Sequence, residues 1–189
     1  MRRRWLGLRL AAALLVVVVG ALPSRVAAAE GSALEYKVKA GYLFNFPKFI
    51  EWPNTAFASS NAPIVIGVLG EDPFGPMLDE ALAGRNVNGR SFVIRRFGPT
   101  EDLGTCHILF VSHTEKSRTP NVLESVRGHA VLTVGESEHF ARSGGMINFV
   151  LVGGQVKLET NPDAAIAANL KISSKLLAAS KPVKTEPAH

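Results

Sequence analysis

Thiols are almost absent: Cys106 is the only cysteine in 189 residues. No internal disulfide can form, so the fold must rest on its apolar core. Long apolar stretches are missing too. The run Leu10–Leu22 has 13 residues, short of the about 18 to 20 that a membrane-crossing helix needs. Nothing after Glu30 reaches that length. Signatures of catalysis are equally scarce. "GVLGEDPFGPM" carries Pro76 and Met77 where a phosphate loop needs lysine and serine or threonine. No G-x-S-x-G elbow offers a serine nucleophile. The histidines, His107, His113, His129, His139 and His189, never stand four apart or at zinc spacing from a cysteine. These absences leave no catalytic, cofactor or metal residue to assign.

What is present begins with a leader. Arg2, Arg3 and Arg4 precede the apolar run, and Ala27-Ala28-Ala29 closes it. This is the layout of a secretory signal peptide over residues 1–29, cleaved near Ala29. The leader holds five of the 21 basic residues and no acid, leaving 16 basic and 16 acidic residues after it. The surplus of positive charge therefore belongs to the leader, and a nucleic-acid partner is not expected. Residues 30–180 suffice for one domain with a core, and 181–189, with two prolines, are expected to be a loose, disordered tail.

Glycine and proline divide the domain into short elements. A helix is expected from Leu34 to Trp52, with Leu34, Val38, Tyr42, Leu43, Phe46, Phe49 and Ile50 on its buried half. Pro47 should kink or end it, because it has no N–H for the Leu43 carbonyl. Apolar strands follow at Ile64–Leu69, Cys106–Ser112 and Ala130–Gly135, with a further strand at Ser91–Phe97. Between them, helices are expected after Asp72-Pro73 and Thr119-Pro120, and Ser137 should cap a single turn. "MINFVLV" and "QVKLET" flank Gly153-Gly154 as a hairpin, and one last helix starts at Asn161-Pro162-Asp163. The alternation predicts an α/β sandwich: a central, mostly parallel sheet, a C-terminal antiparallel hairpin and flanking helices.

Three groups of residues stand out. The stretch "GYLFNFPKFIEWP" holds five of the chain's 14 aromatics. Phe44 projects from the polar side of the helix, near Lys48 and Glu51, unless the Pro47 kink turns it into the core, and Trp52 sits at the helix exit. These four are candidate partner contacts. The loops Glu71–Phe74, Ser112–Glu115 and Gly135–Ser137 follow parallel strands, the usual place for a small ligand, and Glu71, Asp72, Ser112 and His113 are the candidates there. Cys106 is a redox candidate, although burial at a strand start should raise its pKa and slow its reactions.

The blocks "YKVKAGYLFNFPKFIEWP", "IVIGVLGEDPFG", "NGRSFVIRRF", "CHILFVS", "VLTVGES..FARSGGMINFVLVGGQVKLETN" and "LKISSKLL" resemble, in order and spacing, those of the YfiR family. The resemblance implies a non-enzymatic periplasmic domain, often dimeric, that binds and represses a membrane-bound diguanylate cyclase. Repression would lower cyclic di-GMP and biofilm formation. It also implies redox control through disulfides, but Cys106 has no second cysteine to pair with. Only a bond to another chain could replace that control. The alternative reading is a periplasmic small-ligand-binding domain serving a transporter or sensor kinase.

Overall fold

The computed structural model describes residues 23–98 and 100–186. Most of the expected leader, residues 1–22, lies outside the described residues. Helix α1 (Pro23–Asn45) comes first. It is followed by β1 (Ile50–Glu51), β2 (Ile64–Leu69), α2 (Pro76–Leu82), β3 (Asn86–Val87) and β4 (Arg90–Phe97). Then come β5 (Ile108–Val111), α3 (Thr119–Ser125), β6 (Leu132–Gly135), β7 (Ile147–Val152) and β8 (Gln155–Thr160). The chain closes with α4 (Pro162–Ala167), β9 (Lys171–Ile172), α5 (Ser174–Ala178) and β10 (Lys181–Pro182).

Eight strands form one sheet in the order β10-β8-β7-β6-β5-β2-β4-β3. From β4 through β7 the neighbours are parallel, and β8 returns antiparallel to β7. The expected sandwich is therefore present. Each central strand feeds both faces, as the period of two requires. Ile64, Ile66, Val68, Ile108, Phe110, Leu132 and Val134 pack with α1 and α2. Leu69, Leu109 and Val111 face the other way, onto Val122 of α3 and Phe140.

Several expectations need correction. The first helix stops at Asn45; Phe46–Lys48 make one tight turn, and Ile50–Glu51 become a strand. Pro47, which cannot donate to Leu43, accounts for the break. Leu34 and Val38 were placed on the buried half, yet they are 63 % and 40 % exposed. The second helix starts at Pro76, not Pro73. Asp72 instead closes a turn, accepting from the N–H groups of Phe74 (2.8 Å) and Gly75 (3.3 Å). The turn at Ser137 is closed by its backbone, and the Ser137 hydroxyl is buried without a partner.

The single last helix is two. Asn169 takes a left-handed φ of 58° after α4, and the Ser173 side chain caps α5. Between them β9 pairs antiparallel with β1 in a small second sheet. The tail is also ordered as far as Glu186. Lys181 and Pro182 pair with Glu159 and Thr160, and Val183 donates to the Thr160 carbonyl at 2.7 Å. Asn161 reaches Thr185, and Arg142 pairs with Glu186.

Candidate functional site

The two groups of candidate residues fall at opposite ends of the sheet. At the carboxyl ends, the expected crevice is largely filled by its own side chains. The Glu71 N–H donates to the Thr114 hydroxyl at 3.1 Å, and Gly70 is so close to that hydroxyl that a Cβ would stand 2.6 Å from it. Ser112 is buried, with its N–H on the Leu69 carbonyl. The Asp72 carboxylate accepts from Arg96 at 2.7 Å, and Arg96 also reaches Asp79 at 2.6 Å. Hydrogen bonds to these two carboxylates push the Arg96 pKa upward.

His113 leads to a cluster whose α1 members, Glu35, Tyr36 and Lys39, sequence reasoning missed. Its backbone N–H and ring Nδ1 lie 3.1 and 3.3 Å from Oε1 of Glu136, which follows β6. The other Glu136 oxygen accepts from Lys39 Nζ at 2.7 Å, and both side chains are 4 % exposed. Glu35 also pairs with Lys39, and the Tyr36 hydroxyl approaches Glu136 at 3.5 Å. Burial, then the negative charge of Glu136, raises the Tyr36 pKa. This buried ion pair fastens α1 to the ends of β5 and β6. A signal was available: Lys39 stands seven residues before Phe46, on the same buried stripe as Leu43.

At the amino ends of the strands lies the aromatic stretch. Phe44 is half-buried rather than projecting into solvent. Its ring lies 5.6 Å from that of Phe92, with Lys48 Nζ and the Arg85 guanidinium at 4.6 and 5.0 Å. Lys48 and Glu51 are exposed, and Glu51 pairs with Lys171 at 3.8 Å. Trp52 donates its indole N–H to the Ala130 carbonyl at 3.1 Å and meets Phe57 edge-on. Phe57 in turn stacks on His107, centroids 4.3 Å apart and planes 14° from parallel. His107 Nδ1 accepts from the Val65 N–H at 3.0 Å, so Nε2 carries the proton toward the Ala56 carbonyl at 3.1 Å. Burial lowers its pKa and keeps it neutral. A cleft of about 680 Å³ opens between this loop and the Asn88-Gly89 turn.

Cys106 is buried two residues before β5, just after the turn Leu103–Thr105, with its thiol on the Leu103 carbonyl at 3.2 Å. Burial pushes its pKa up to about 12. Among the described residues, no three histidine, cysteine or carboxylate groups stand close enough to hold a metal. No described helix is long and apolar enough to cross a membrane.

The sequence profile of the YfiR/HmsC-like proteins matches residues 36–181, from Tyr36 of the buried cluster to Lys181 of β10. The chain belongs to the YfiR/HmsC-like family. None of the curated proteins compared with it matches. At the family level, YfiR/HmsC-like proteins are periplasmic regulators in cyclic di-GMP and biofilm signalling, not enzymes.

Proposed function

We propose that this protein is exported by its leader and binds the periplasmic region of a membrane-bound diguanylate cyclase, holding the enzyme inactive. Cyclic di-GMP and exopolysaccharide then stay low until a signal separates the two. The observation that carries this reading is the family match over residues 36–181, which takes in the sheet and the aromatic turn. Lys48 and Glu51, exposed beside half-buried Phe44 and Trp52, supply charge around an aromatic centre, an arrangement suited to a protein interface. A homodimer belongs to the same reading.

Binding to the isolated periplasmic domain of a cyclase from the same cell tests it. Reversing the exposed charges, Lys48→Glu and Glu51→Lys together, should weaken binding at least about tenfold. The melting temperature should stay within a few degrees of the parent, because both side chains are exposed. Unchanged affinity in the double variant would move the interface elsewhere. Absence of binding to every cyclase domain of that cell would overturn the reading.

A further inference from the structure

Arg90 is a half-buried cation with no carboxylate at ion-pair distance among the described residues. Arg95, Arg96, Arg118, Arg127 and Arg142 each pair with a carboxylate. Among the described residues, Arg90 pairs with none. Its Nη1 donates to the carbonyls of Ser59 at 2.9 Å and Ala62 at 2.7 Å. Its guanidinium carbon lies 3.7 Å from the Phe57 ring centre. Phe57 is backed by His107, itself fixed by hydrogen bonds through both ring nitrogens. The guanidinium is thus held in one place and one plane, while a cation removed from water gains most from an anion beside it.

Arg90 lines the cleft of about 680 Å³, within the usual range for small-molecule sites. Pro47, Ile50 and Trp52 give one side of the cleft an apolar lining, and Ser59 and Asn88 give it polar groups. Among the described lining residues, Arg90 is the only cation and Glu51 the only carboxylate. Glu51 has Lys171 at 3.8 Å as its own partner, so a single negative charge matches Arg90, whereas a dianion would bring surplus charge near Glu51.

We propose that the cleft between Trp52 and Arg90 binds a small monocarboxylate with an apolar body. The carboxylate meets the free edge of the Arg90 guanidinium, and the apolar body lies against Trp52 and Ile50. The site is at the amino ends of the strands, opposite the crevice where α/β folds usually hold ligands. It does not depend on cyclase binding, and either reading can fail while the other stands.

Titration of the purified, isotopically labelled protein followed by NMR tests it. The probes are phenylacetate, hexanoate and neutral phenylacetamide, and the readouts are the Trp52 indole N–H and the Arg90 Nε–H. Saturable shifts at both positions are expected with the carboxylates. The amide should bind at least about tenfold more weakly, because it lacks the charge-assisted bonds. Arg90→Gln should lose carboxylate binding. If that variant loosens the 53–63 loop, the comparison of acid with amide on the parent protein still decides. Equal affinity for acid and amide, shifts that never saturate, or no shift with either carboxylate at tens of millimolar would each overturn the proposal.

Discussion

Burial sets the chemistry of two neighbouring side chains, Cys106 and His107. With its pKa near 12, the Cys106 thiol supplies almost no thiolate at neutral pH, and the thiolate is the reactive form. Native protein should therefore react with a thiol reagent at least about a hundredfold more slowly than denatured protein. Oxidation should leave monomer mobility on a non-reducing gel unchanged. Rapid labelling, or an oxidised dimer lost in Cys106→Ser, would make Cys106 a sensor. His107 responds to acid. Its folded pKa lies below the unfolded value, so the unfolded chain takes up a proton first. The stability that His107 contributes is present above that unfolded value, about 6.5, and is lost as pH falls below it. The melting temperature should drop between about pH 7 and pH 5, and the drop should be smaller in His107→Gln. A third test of packing is Gly67. A Cβ there would stand 2.4 Å from the Phe97 ring and 3.2 Å from Cys106 Sγ. Gly67→Ala should cost about 1 to 3 kcal/mol in denaturant unfolding.

At the scale of elements, the buried pair of Lys39 and Glu136 determines how α1 is held. Lys39→Met would leave the buried Glu136 with only Tyr36 and His113 as hydrogen-bond partners among the described residues. Such a loss costs about 3 to 5 kcal/mol. A second change, Glu136→Leu, should restore most of it, because two apolar side chains then meet. If the double variant is no more stable than the single, the pair matters through its further hydrogen bonds rather than its charge. The strands that sequence reasoning missed, β1, β3, β9 and β10, are each only two residues long. The β3–β4 hairpin could have been read from Asn88-Gly89, whose φ values of 53° and 78° suit a two-residue turn. Strand β9 had no comparable signal. Its pairing partner, β1, lies more than a hundred residues earlier, and neither two-residue strand carries a pattern of its own.

At the scale of the molecule, the sheet's interior was legible because "IVIGVL" and "CHILFVS" are apolar on both faces, as buried parallel strands must be. Its margins were not. The tail holds two prolines and looks loose in sequence, yet β10 extends the edge of β8, and Thr185 and Glu186 tie back to Asn161 and Arg142. The aromatic turn was visible in composition, but Phe44 rests on Phe92, a contact that no helical wheel contains. The ligand crevice was placed at the carboxyl ends by the general rule for such sheets, and Thr114 and Glu136 occupy that ground instead. The two ends differ: one is closed by ion pairs under α1, and the other carries the exposed turn and the cleft. The proposed function is restraint of a diguanylate cyclase from the periplasmic side. The most direct measurement is cellular cyclic di-GMP in a strain lacking the chain, complemented either with the full chain or with a version lacking residues 1–29. The account predicts that cyclic di-GMP rises severalfold on deletion and returns to its former level only with the exported form. An unchanged level on deletion, or full restoration by the version without the leader, would contradict it.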